Sequence, residues 1–150
     1  MKISLEINNK IFCQGIQEEK IVDVIRETMM IASGDAAKNK EVSVSMAIVS
    51  EDEIRELNRI YRKKDKATDI LSFANYESAE KIRSEKRDEF FLGEIIVCCK
   101  YIEKYAKIRN VDFFEEVMYI VSHGILHLLN FSHGEEMYSI QEKALNKIKK

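Results

Sequence analysis

Apolar residues stand at alternate positions at the start of the chain. In "KISLEIN", Ile3, Leu5 and Ile7 face one way, the period of a strand with one buried side. Between Glu18 and about Ser33 the spacing becomes helical, with Ile21, Val24, Ile25, Thr28 and Met29 on one stripe and Gly34 as a natural stop. "EVSVSMAIVS" returns to period two through Val42, Val44, Met46 and Ile48 and predicts a second strand. Ser50 and Glu53 then form a capping box that opens a helix carrying Ile54, Leu57 and Tyr61.

A basic run leads into a third, short strand, "ILSF" from Ile70 to Phe73. The stretch "ANYESAEKIRSEKRDEFF" is charged and aperiodic, so it reads as a long loop before a fourth strand, "GEIIVCC". A short helix is expected from Lys100 to Arg109, ending near Asn110. Asp112 and Glu115 make a second capping pair ahead of Val117, Ile120, Val121, Gly124, Ile125 and Leu128 at helical spacing. From Glu135 to Lys150 a last helix has Met137, Ile140, Ala144, Leu145 and Ile148 on its apolar stripe, with acids first and lysines last, as the helix dipole prefers.

Length and composition narrow the classes. A chain of 150 residues suits one domain, 1–150, and can bury about 70% of its unfolded surface. The residues are 45% hydrophobic and 33% charged with the signs nearly balanced, which excludes a disordered tail. A net charge of -2 argues against gripping nucleic acid through a whole-surface positive field, so any such contact is local. No stretch approaches the roughly 20 apolar residues of a membrane span, and the expected location is the cytoplasm. The 3 cysteines include the adjacent Cys98 and Cys99 in an apolar run, and buried reduced thiols are expected.

The candidate chemistry lies in "HGILHLLNFSH", which holds all 3 histidines of the chain. Residues four apart on a helix share a face, so His123 and His127 project side by side at a spacing that lets two imidazoles bind one ion. Asn130 tolerates a left-handed helix end, which lets the chain turn and bring His133 back from the loop. Three neutral imidazoles leave a fourth position open, the arrangement of a catalytic zinc site and not of a closed structural one. Zn2+ fits best, and Ni2+ or another divalent transition metal accepts the same nitrogens. In the HExxH motif of metallopeptidases the residue after the first histidine is the general base; here it is Gly124, which takes no proton. Its expected purpose is close approach of another backbone or of substrate. Glu135 and Glu136 follow His133, but nothing in the sequence aims either at the metal, and the base stays unassigned.

A second constellation, "NRIYRKKDKATDILSF", concentrates cations at a helix end. Most suit a solvated basic loop, while Arg62 offers a permanently charged, bidentate partner for phosphate.

These residues carry a resemblance to a known family. "HGILHLLNFSH" resembles the HGxLHLxGYDH signature of the YbeY family of metal-dependent endoribonucleases, "NRIYRKKDKATDILSF" resembles its NxxYRxKDxPTDVLSF segment, and "LGEIIVCC" its LGDIVIC strand, in the same order. The resemblance implies an α+β, zincin-like fold with a four-stranded mixed sheet packed by about five helices. It implies cleavage of single-stranded RNA, a part in small-subunit rRNA 3′-end maturation and ribosome quality control, and the small ribosomal subunit as partner, with no DNA or membrane. His123, His127 and His133 then stand as metal ligands, Arg62 and His123 as catalytic residues, and Arg62 with Lys64 as substrate contacts. The sequence departs from the pattern at Ala67 for proline, Asn130 for glycine, Ser132 for aspartate and Glu94 for aspartate, and every ligand position is kept. The rival readings are a metallopeptidase-like or other zinc hydrolase, and a non-catalytic ribosome-associated factor with a structural metal.

Overall fold

In the computed structural model, which describes residues 1–149, strands and helices follow the expected order. They are β1 (Lys2–Asn9), α1 (Glu18–Ser33), a 3-10 turn, β2 (Glu41–Ile48), α2 (Glu51–Arg62), β3 (Ile70–Ala74), α3 (Ala79–Arg83), β4 (Glu89–Val97), α4 (Cys99–Arg109), α5 (Phe113–Leu128) and α6 (Glu135–Lys149). Lys150, the expected end of the last helix, lies outside the described residues. The fold is α+β with one mixed sheet in the order β1-β2-β4-β3. β1, β2 and β4 run parallel, and β3 closes the edge antiparallel to β4.

The local signals act as their chemistry dictates. Ser50 accepts the Glu53 backbone N–H at 3.2 Å to start α2. The reciprocal half of the capping box does not form, because Glu53 pairs with Lys10 instead. Asp112 accepts the Glu115 N–H at 3.0 Å to start α5. Asn110 and Asn130 take the left-handed conformation at φ 55° and 70°, as their helix-ending positions require.

The alternation along the strands divides the core in two. Val42, Val44, Met46, Leu92, Ile95 and Val97 face α1, α5 and α6, where Ile21, Ile25, Met29, Val121 and Ile125 complete the larger cluster. Burying each such aliphatic side chain stabilises the fold by about 1.5–3 kcal/mol. On the other face Ala47, Leu71 and Ile96 pack under Ile54 and Leu57 of α2. One buried polar tie, Thr28 to Ser122 at 2.8 Å between their hydroxyls, joins α1 to α5.

Three features differ from the sequence expectation. The charged excursion contains the five-residue helix α3, capped by Ser78, which accepts the Lys81 N–H. β4 begins at Glu89, four residues early, because Phe90 and Leu92 supply the buried alternation amid charge. Cys13 and Cys99 are bonded, with Cα atoms 6.1 Å apart, and only Cys98 is free. β1 and β4 run parallel, so the residues just past their ends leave the same side of the sheet, which brings together cysteines separated by 86 positions. Burial pushes the Cys98 thiol pKa up.

Candidate metal centre

α5 crosses the sheet at its β3 edge and approaches it closely at Gly124. A Cβ there would lie 2.6 Å from Cδ1 of Ile70, 3.1 Å from Cγ2 of Ile95 and 3.3 Å from Oγ of Ser72. The sequence suggests approach of another backbone or of substrate here, but the atoms that press on this glycine are side chains of the sheet, because α5 lies directly on β3 and β4. Any larger residue, a peptidase's glutamate included, meets β3 and β4.

The same crossing sets the imidazoles over the cleft. Nε2 of His123 lies 3.0 Å from Nε2 of His127, one turn on, and 3.2 Å from Nε2 of His133. The left-handed turn at Asn130 returns the chain so that His133 meets the helical pair. Three nitrogens on a tetrahedral ion with bonds of about 2.05 Å sit about 3.3 Å apart, so this spacing fits a first-row divalent cation. A ligand atom from each ring lies within 4.8 Å of the others, and the three residues could hold a metal ion.

Neighbours aim the rings. Nδ1–H of His127 donates to the Phe131 carbonyl at 3.2 Å, which leaves its Nε2 lone pair for the centre. Burial lowers the pKa of both His123 and His127 below the ordinary 6.5, and the neighbouring imidazoles lower both further. Neutral rings with facing lone pairs make a donor set for a cation.

A cleft of about 880 Å³ opens from the three histidines and is lined also by Arg62, Lys64, Lys66, Asp69, Ser72 and Phe73. Arg62, the last residue of α2, donates from Nη2 to the Ser72 carbonyl at 2.6 Å and lies over the Phe73 ring, 5.3 Å from its centroid. Its charge is close enough to disfavour protonation of His127. The loop that follows is held by buried Asn58, whose side-chain N–H donates to the Lys66 carbonyl at 2.9 Å. Arg62 and Lys64 thus share one cleft with all three histidines.

Two further residues escaped the sequence reading. Asp69 lines the cleft, with Oδ1 accepting from the Ile70 backbone N–H at 2.7 Å, and its charge favours protonation of His123. Gln141 of α6 is fully buried beside α5. It stands on the stripe of Met137, Ile140 and Ala144, and a lone amide on an apolar stripe was the signal available. Glu136 lines a different cavity, between α1, α3 and the 129–132 turn.

A mixed four-stranded sheet, two imidazoles one turn apart on a helix and a third from the following turn define a zincin-like metal-site protein. Within that class the chain belongs to the YbeY family, since the family model described as Endoribonuclease YbeY matches residues 6–149. Endoribonuclease YbeY of Thermodesulfovibrio yellowstonii is 31% identical over 166 aligned positions, covering 99% of each chain. That of Staphylococcus epidermidis is 31% identical over 138, covering 88% of this chain and 89% of the relative. The solution structure of TM1509 from Thermotoga maritima superposes with a TM-score of 0.59 at 28% identity, covering 97% of this chain and 88% of the other.

Proposed function

We propose that this chain, as one domain over 1–150, is a zinc-dependent endoribonuclease that cuts single-stranded RNA. Its biological setting in this reading is the cytoplasm, where it matures the 3′ end of small-subunit rRNA and acts in quality control of the small ribosomal subunit. The observation that carries the proposal is the shared cleft: three imidazoles on one side and the Arg62 guanidinium on the other. Family membership supports RNA as the substrate. Among the described residues no helix is long and apolar enough to cross a membrane.

His123, His127 and His133 hold the ion, Zn2+ by preference and Ni2+ as a substitute. A divalent ion held there supplies Lewis acidity toward a phosphate oxygen or a water molecule. Arg62 binds the scissile phosphate through its free N–H groups, and its contact with Ser72 fixes the direction from which they point. Charge that develops on the non-bridging oxygens meets a guanidinium already oriented, at no cost of reorganisation. Lys64 binds a neighbouring phosphate as a point charge. Asp69 is the carboxylate on the cleft wall and takes the proton released by the attacking hydroxyl or water.

The test offers purified protein single-stranded RNA, duplex RNA and an unstructured polypeptide. Cleavage of the first alone is expected. Cleavage of the polypeptide, or of duplex RNA at an equal rate, overturns the assignment. A 2′,3′-cyclic phosphate on the products marks attack by the RNA's own 2′-hydroxyl.

A further inference from the structure

Gln141 is a polar side chain with no exposure, and only half of its amide is satisfied. Its Nε2 donates to the backbone carbonyl of Tyr119 at 3.2 Å. Its Oε1 is buried with no hydrogen-bond partner among the described residues. An orphaned acceptor in a core costs about 1–3 kcal/mol, so its persistence calls for a reason.

The orientation of the amide is fixed by chemistry. Were it flipped, oxygen would face the Tyr119 carbonyl, two acceptors with no proton between them. Tyr119 is one helical turn before His123 on α5, so the amide lies alongside the first histidine of the cluster. The His123 ring has turned its Nε2 to the other two imidazoles, which leaves Nδ1 on the opposite edge. Gln141 falls short of full hydrogen-bond geometry to this ring, which leaves its Oε1 the unpartnered acceptor beside it.

We infer that Gln141 is a positioning residue for the metal centre: its Oε1 accepts the Nδ1–H of His123, holding that ring in the tautomer whose Nε2 lone pair points at the ion. The Phe131 carbonyl performs this service for His127. Two of three ligands are thus fixed from behind, one by a backbone carbonyl and one by α6. His133, exposed and on the loop, closes onto a prepared pair. A helix that contributes no ligand thereby sets metal affinity. The inference rests on reading the three histidines as ligands.

The test begins with the metal-free parent protein at pH 7.5, isotopically labelled with 15N, in which two-bond couplings from ring protons to ring nitrogens identify each tautomer. His123 is expected to carry its proton on Nδ1, and a proton on Nε2 overturns the inference. Gln141→Met then removes the acceptor at similar volume. It is expected to shift His123 toward the Nε2–H tautomer, to leave His127 unchanged, and to lower affinity for Zn2+, titrated alone against a chelating dye, by about 10–100-fold. An affinity within about threefold of the parent in the folded variant, or a loss with the His123 tautomer unmoved, also overturns it. Gln141→Glu, which keeps an acceptor, is expected to retain the parental tautomer, and a switch to Nε2–H there counts against the inference. If the methionine variant does not fold, the parent's tautomer decides. A parent that shows the Nδ1–H tautomer but binds no Zn2+ defeats the ligand reading instead, which separates the two failures.

Discussion

Gly93 is where a single methyl group should do the most damage. It sits in β4 at φ 150°, opposite Ala74, beside the register shift that lets Phe91 and Gly93 pair with the consecutive residues Ser43 and Val44. A Cβ there would lie 2.5 Å from the Phe73 carbonyl oxygen, 2.9 Å from Cδ2 of Leu128 and 3.2 Å from Cα of Ala74. Two of these atoms are backbone and cannot swing aside, so Gly93→Ala has to part β3 from β4. Placing an L side chain at this φ costs about 1–3 kcal/mol, and overpacking adds about 1–3 kcal/mol. The sum, about 2–6 kcal/mol, is a large share of the 5–15 kcal/mol typical of a domain. With a urea dependence near 2 kcal/mol per M, the unfolding midpoint should fall by roughly 1–3 M. Because β3 carries the Ser72 carbonyl that holds Arg62, the surviving folded fraction should also bind phosphate analogues less well. A midpoint lowered by less than about 0.5 M at unchanged slope would refute the reasoning, because it would mean that the strands yield cheaply.

Other outcomes follow from the same contacts. Gly124→Ala gains about 1 kcal/mol of helix propensity but crowds Ile70, Ile95 and Ser72, at a cost of about 1–3 kcal/mol; urea unfolding should show a net loss of about 1 kcal/mol, and a more stable variant would contradict the packing argument. His123 and His127 have lowered pKa values when folded, so below 6.5 the unfolded chain binds more protons. Metal-free protein should therefore lose stability as the pH falls from 7.5 to 5.5, and His123→Ala should flatten that slope; stability that rises on acidification has the wrong sign. Opening the Cys13–Cys99 link frees a loop spanning 86 positions, worth up to about 4.5 kcal/mol by chain entropy. Dithiothreitol should lower the urea midpoint of the parent and leave that of Cys13→Ser unmoved, whereas a parent indifferent to reductant would speak against the bond.

Much of this architecture was legible because the signals were local. Period-two runs marked β1 and β2, short apolar runs marked β3 and the inner part of β4, and capping by Ser50 and Asp112 placed the starts of α2 and α5. The helical spacing of His123 and His127 and the left-handed Asn130 were enough to gather the cluster. What escaped depends on long-range partners. The order β1-β2-β4-β3 is a property of packing and not of any one segment. Cys13 and Cys99 looked unrelated until parallel strands delivered them to the same side of the sheet. α3 is one turn long, too short to show a period in a charged stretch. Asp69 carried no signal of its own in the sequence, and its place on the cleft wall depends on β3 lying at the sheet edge. Gln141 was given no part by the sequence, and its role emerges only when α6 lies against α5.

The most direct test of the central claim is the rate of single-stranded RNA cleavage by Arg62→Ala at measured metal occupancy. Arg62 contacts none of the histidines by hydrogen bond, so the variant should load one Zn2+ per chain as the parent does. Loss of a charged donor that stabilises the transition state should nevertheless slow cleavage by about 10²–10³-fold. A fully loaded Arg62→Ala protein that cuts RNA at the parental rate would contradict the account.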